Sequence, residues 1–353
     1  MVAFFHPLFP NRDPDVSTNL RLGICYGRVA EVSGLDIAAI VGRTDRNSRG
    51  VHVTGVCSWV GDTFRGIGVT GGVGVVGGTA QGIQLAAGVN FDRGAFSGLQ
   101  AAGLFNFVEG DVAGVQLASV YNLCNSDVAW LQFASVLNAN AGSLHGVQIA
   151  AANLTHELVH GAQVGFYNGA GRVEGVQVGI ANFAGPVRGS QIGIFSLARR
   201  TDGVPIGVVN ISQEDGSEDW VAFASSYAVF NAGVRTAVHG WYSMFTAGID
   251  DLEDDRSSTL FLSWHYGHAW DVRAGWRLGA DLGFVHVIPK SSDEPGVNDD
   301  LHYAIQPRIL VERSMGSKWN VFAGAGASAI VSGYSSDAAV DYVPLGLLGI
   351  SFD

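Results

Sequence analysis

The order of polar and apolar positions repeats along the first two-thirds of the chain. Gly34, Gly50, Gly66, Gly82, Gly98 and Gly114 recur every sixteen residues. Trp130 takes the next slot, and Gly146, Gly161, Gly175, Gly189 and Gly203 follow as the spacing shortens to fifteen and then fourteen. Two positions after these markers stands a column of glutamines: Gln84, Gln100, Gln116, Gln132, Gln148, Gln163, Gln177 and Gln191. A third column holds Asn90, Asn106, Asn122, Asn138, Asn153, Asn168, Asn182 and Asn210, with Ser196 as its one break. In earlier units Asp36, His52 and Gly68 occupy the glutamine slot, and an initial unit beginning near Asn19 has Arg21 there. A period shared by three columns defines a repeat array, here about thirteen units over residues 19–217.

In the unit that starts at Gly175, Val176 and Val178 flank Gln177, the alternation of a strand with one buried face. Small residues follow, among them Ala86, Ala118, Ala134, Gly165 and Gly179, and these permit close backbone approach. A unit of this length suffices for two short strands and two turns, one coil of a narrow solenoid. Stacked coils set each Gln above the next Gln and each Asn above the next Asn, so their amides donate and accept along the stack. Gln and Asn are six apart in the longer units and five apart in the shorter ones. Strict alternation would put Asn on opposite faces in the two kinds of unit, so a corner or bulge is expected between the columns. The rival geometry is an antiparallel meander; the uniformity of the units favours parallel coils.

After the loop at 213–219 the repeat stops and aromatic residues become frequent. Strands are expected at 220–230, 233–249, 258–269, 272–288, 301–313, 318–332 and 341–352, separated by acidic loops at 250–255 and 291–300. Runs of this length without helical period predict an antiparallel barrel or sandwich. Such strands would span a bilayer when tilted, with Trp and Tyr near their ends as a girdle. The expected class is therefore all-β: a parallel β-solenoid of 14–16-residue coils and then an antiparallel barrel or sandwich. The expected domains are an extension at 1–18, the solenoid at 19–217 and the second β domain at 218–353.

Composition narrows the function. The 353 residues carry 20 Lys and Arg against 32 Asp and Glu, a formal charge of −12. That balance disfavours nucleic-acid binding, which needs clustered cations. Cys25, Cys57 and Cys124 fit neither a disulfide scaffold nor a zinc ribbon; Cys25 and Cys57 lie two coils apart, beyond disulfide reach, and are expected as buried thiols. There is no apolar run of the length of a transmembrane helix. The first residues lack a basic segment followed by an apolar one, which fits either a cytoplasmic protein or a mature form whose signal has been removed.

Several stretches imitate catalytic motifs. His156-Glu-Leu-Val-His160 matches H-E-x-x-H, which on a helix supplies two zinc ligands and a general base. Here it closes one repeat unit, so a polar coil corner is the expected role and a zinc peptidase the remote alternative. Gly66-Ile-Gly-Val-Thr-Gly71 matches a dinucleotide fingerprint, but its glycines belong to the repeat and no helix can follow. His265 and His268 alternate to opposite faces of a strand, which weakens a metal site with His286 or His302. The acidic loops lack the spacing of a calcium loop. No cofactor, metal site or catalytic residue is expected.

The G-x-Q-[apolar]-[small] units with a following Asn run directly into Pro205-Ile-Gly-Val-Val-Asn210 and then the Gly-then-aromatic segment 233–248. In these features the chain resembles a family of bacterial surface-repeat proteins with a C-terminal, outer-membrane-barrel-like β domain. The resemblance implies a cell-envelope location, outer membrane or cell surface, and a non-enzymatic structural or interaction role toward a protein or surface ligand, with membrane association through 218–353. A pore or transport protein is the alternative.

Overall fold

A computed structural model describes residues 16–226, 228–250, 259–288, 302–332 and 339–353. Residues 1–15 and the acidic segments at 251–255 and 291–300 lie outside that set. The regular structure is all β: a parallel solenoid of about 12 turns, then a closed eight-stranded antiparallel barrel. The chain divides into two compact units, Met1–Gly185 and Pro186–Asp353, so the last repeats belong with the barrel.

A coil consists of a longer and a shorter strand. Phe96–Ala102 turns a corner into Phe105–Val108, which is the corner that the Gln-to-Asn spacing required. Corresponding strands of successive coils pair in parallel, with Gly82, Gly98 and Gly114 in register and Gln84, Gln100 and Gln116 two residues on. Asn90, Asn106 and Asn122 align in the shorter strands. The glycine column has a steric cause. Gly98 has φ 129°, and a Cβ there would stand 2.0 Å from the carbonyl oxygen of Gly82. Trp130 accepts φ 98° in the same column.

Alternation then sorts the side chains. Phe96, Gln100, Ala102, Asn106 and Val108 point inward and are buried. The amide columns therefore lie inside the solenoid, and the aliphatic residues beside them face out.

The barrel strands are Gly216–Ser225, Phe230–Val238, Trp241–Ile249, Leu260–Arg273, Trp276–Ile288, His302–Ser314, Trp319–Ser332 and Ala339–Phe352. The expected strand 233–249 is in fact two strands. His239 and Gly240 take φ 50° and 83°, a two-residue turn that matches the twist of its flanking strands. The other segments fall close to their expected places, and the barrel closes where a sandwich was the alternative.

The strand Val204–Ser212 ends the repeats with an unpaired edge, and the outer wall of the barrel covers it. Tyr266 Oη donates to the carbonyl of Pro205 at 2.9 Å, Trp264 Nε1 to Gly207 at 3.3 Å and Ser243 Oγ to Val208 at 2.7 Å. Thr236 Oγ1 accepts from the Asn210 amide at 3.2 Å. Side chains of the barrel thus take the groups that a further coil would have paired, which removes an exposed edge.

Candidate functional site

The sequence-derived ladder residues come together as two continuous chains of side-chain hydrogen bonds. Gln100, Gln116, Gln132, Gln148, Gln163 and Gln177 each donate Nε2 to Oε1 of the preceding Gln at 2.7–2.9 Å. The asparagines run the other way. From Asn90 to Asn168 each Nδ2 donates to Oδ1 of the following Asn, ending on Asn182, at 2.9–3.0 Å. Their second protons go to backbone carbonyls such as Leu117 and Phe133, which can only accept and so fix the direction. Gln191 is buried in register with Pro205, and Asn210 turns its amide to Gly207 within its own strand.

The glutamine column ends toward the N-terminus in charge. Arg21 clasps Asp36 through Nε and Nη2, each at 2.5 Å, and gives Nη1 to the carbonyls of Gly27 and Arg43. His52 Nδ1 lies 2.8 Å from Asp36 Oδ2, and Ser48 Oγ bonds to His52 Nε2. Burial alone would raise the Asp36 carboxyl, but His52 and Arg21 hold it below its ordinary value. Ser48, His52 and Asp36 have the connectivity of a hydrolytic triad. All three are buried, however, so a substrate reaches Ser48 Oγ only if the coil opens. The sequence placed Arg21, Asp36 and His52 in one column; unlike charges one coil apart inside a solenoid must pair, and Ser48 was the partner missed.

Between His52 and Gln84 the glutamine column is interrupted by Gly68, and Gly74 takes the asparagine slot of the same coil. The Phe64 ring fills most of the gap, 3.1 Å from where a Gly68 Cβ would stand. A cavity of about 20 Å³ remains, lined by His52, Thr70, Gln84 and Asn90, large enough for one water. Asp92 then accepts from Gln84 at 3.1 Å and from Gln100 at 2.9 Å. Burial pushes this carboxyl up to about 7 against the opposing pull of those amides.

The imitation motifs resolve as surface or packing. His156, Glu157 and His160 lie on the strand Ala152–Val164 and are exposed; His160 faces His145 of the neighbouring coil at 5.9 Å. The Gly66 segment is an ordinary long strand, Phe64–Thr70. His265 points into the barrel, its Nδ1 3.5 Å from Asp281, whereas His268 stands outside against Trp241 and Trp270. Among the described residues no group of three His, Cys, Asp or Glu side chains is placed to hold a metal. The cysteines correct one expectation: Cys124 is buried, its thiol raised by burial to about 11, but Cys25 is exposed in a corner and Cys57 is half-buried at the start of the strand Cys57–Val60.

The barrel lumen is filled. Arg308 meets Asp281 with two hydrogen bonds at 2.8 and 2.9 Å, and Tyr242 donates to the same carboxylate at 2.6 Å. Arg235 bridges Asp219, Glu312 and Ser351, and Arg277 also pairs with Glu312. Phe223, Met244, Leu310, Phe322 and Leu347 pack among these charges. A cavity beside Phe223, His265 and Arg308 measures about 10 Å³, and one at the mouth, between Asp215, Arg235, Tyr242 and Arg277, about 160 Å³. The outer wall has the opposite character: Leu278, Leu282 and Phe284 stand exposed on one strand, Ile305, Ile309 and Val311 on the next, Leu348 and Ile350 on the last.

Comparisons with protein-family models, with curated proteins and with solved structures found no match. The functional reading therefore rests on this geometry and on the resemblance in the repeats.

Proposed function

We propose that the chain is a non-enzymatic protein of a bacterial cell envelope, held in a bilayer by the barrel 216–352 and presenting its repeats as a structural or interaction surface. The observation that carries this reading is the polarity of the barrel. Arg235, Asp281, Arg308 and Glu312 are buried in the lumen while Leu282, Ile309 and Leu348 are exposed outside. In water that distribution is unfavourable on both counts; in a bilayer it satisfies both. Five of the strands have 13 or 14 residues, ample against the roughly 9–11 that a tilted strand needs to span. Trp220, Phe352 and Trp319 lie side by side across three strands near the short-turn end, as in an interfacial aromatic girdle. The filled lumen favours an anchor over a pore.

The full chain, reconstituted into phosphatidylethanolamine–phosphatidylglycerol liposomes, is expected to float with the vesicles after an alkaline carbonate wash. Recovery in the carbonate supernatant would overturn the reading. In planar bilayers the same protein is expected to give no unitary conductance steps; such steps would favour the pore.

A further inference from the structure

The inversion seen in the barrel recurs in the solenoid unit 1–185. Its amides are inside, and beyond the first two coils, whose short strands carry Arg28 and Arg43, two adjoining outward faces are apolar from coil to coil. The outward positions of the long strands hold Val51 and Val53, Ile67 and Val69, Leu85 and Phe133, all exposed, with Ile83, Leu99, Ala101, Val115, Leu117 and Leu131 half-buried between them. The short strands turn Phe105 and Tyr121 outward as exposed rings, with Val89, Phe91, Phe107 and Leu123 half-buried beside them. The corner between the two faces carries Leu104, Val120, Val136 and Phe166. The charged residues of these coils lie in the turns after the short strands, as Arg93, Glu109, Asp111 and Asp127 do, or, as Arg65 and Glu174 do, at the long-strand position just before the glycine column. We infer that these two faces and their corner insert into the acyl region of a lipid bilayer, leaving the charged residues in water.

Three observations favour lipid over a protein partner. The backbone groups of both faces are consumed in parallel ladders, the condition for contact with hydrocarbon. A protein interface carries about one hydrogen bond per 100–200 Å², yet the side chains at these positions offer almost no donors or acceptors. An open groove of about 640 Å³ runs along the stack between Val69 and Phe133 over a floor of Ala86, Ala102 and Ala118; its aliphatic walls suit an extended hydrocarbon chain. Trp130 adds an independent sign. The one non-glycine in its column between Gly34 and Gly203, 71% exposed and held at φ 98°, it stands between the long-strand position that carries charge in other coils and the apolar positions, and Trp concentrates at such membrane–water boundaries. A formal charge of −12 also opposes packing of copies face to face.

The inference rests on the anchor reading for the presence of a bilayer, not for the face itself, and one experiment separates the two. The full chain carrying Cys25→Ser, Cys57→Ser and Cys124→Ala is spin-labelled singly after Leu104→Cys, Phe166→Cys, Arg93→Cys or Leu282→Cys and reconstituted in the same liposomes. Labels at 104 and 166 are expected to be relaxed by oxygen and shielded from a water-soluble nickel chelate, at a depth of about 5–10 Å, with the reverse at 93. Nickel access at 104 and 166 while 282 stays oxygen-accessible overturns the inference and leaves the anchor standing. Nickel access at 282 with protection at 104 overturns the anchor and supports the lipid-facing solenoid. Loss of access to both reagents at 104, with dipolar broadening, places a second copy on the face and overturns the inference. Phe166 is 67% exposed, so its label reads the same corner should the 104 variant fail to fold.

Discussion

Asp92 sits among amides where the equivalent position two coils away, at Cys124, is a thiol and the next is Asn140. Both carboxylate oxygens accept from glutamine amides, which favours the charge, but burial outweighs them and lifts the carboxyl to about 7. A group whose folded value lies above its unfolded value of 3.8 binds its proton more tightly when folded. The contribution of Asp92 to stability is then fully present below pH 4, declines between pH 4 and 7, and is level above that, a loss on the order of 4 kcal/mol. Asp92→Asn removes the titration but turns one NH₂ toward the Gln84 amide, a lost acceptor costing about 1–3 kcal/mol. The variant is expected to be less stable than the parent at pH 3.5 and more stable at pH 8. Chemical denaturation followed by circular dichroism at the two pH values tests this, and parallel curves for the two proteins would refute it.

Strand and coil are set by close backbone approach in the glycine column. Gly98→Ala forces a Cβ onto the Gly82 carbonyl at an unsuitable φ; a loss of more than about 2 kcal/mol is expected. Trp130→Gly is expected to act oppositely in detergent-free solution, gaining about 1 kcal/mol by relieving the strained φ, less the entropy that glycine adds to the unfolded chain. Denaturant midpoints of the two variants give both values, and a destabilised Trp130→Gly would show that the indole is packed rather than tolerated. These columns were legible in the sequence because identical coils stack identical residues. What period two does not tell is which face is inside. Val176 and Val178 beside Gln177 define two faces, and the usual expectation buries valine, but amides that satisfy one another along a stack can occupy the interior instead. The Asp36–His52 pairing was half legible, since the column was seen but not its link to Ser48. The turn at His239–Gly240 was missed because apolar alternation continues on both sides and a single glycine marks it.

In the unit 186–353 the last coil and the barrel are joined by the wall side chains that replace a missing neighbour. Ser243 and Tyr266 each satisfy one edge carbonyl, at Val208 and Pro205. Were this coil merely an extension of the repeats, its amides would open independently of the barrel. Because the edge groups are capped by barrel residues, opening of 204–212 has to break those bonds first, and local stability there depends on them. Removing both in Ser243→Ala with Tyr266→Phe leaves two carbonyls without their donors, at about 1 kcal/mol each. Amide exchange within 204–212 is expected to quicken roughly ten- to thirtyfold, since each 1.4 kcal/mol corresponds to a factor of ten, with exchange in 319–332 unchanged. Hydrogen–deuterium exchange of the reconstituted full chain measures both segments at once. Unchanged exchange in 204–212 would mean that the barrel wall only abuts the coil, and equal quickening in 319–332 would mean that the substitutions loosen the barrel instead.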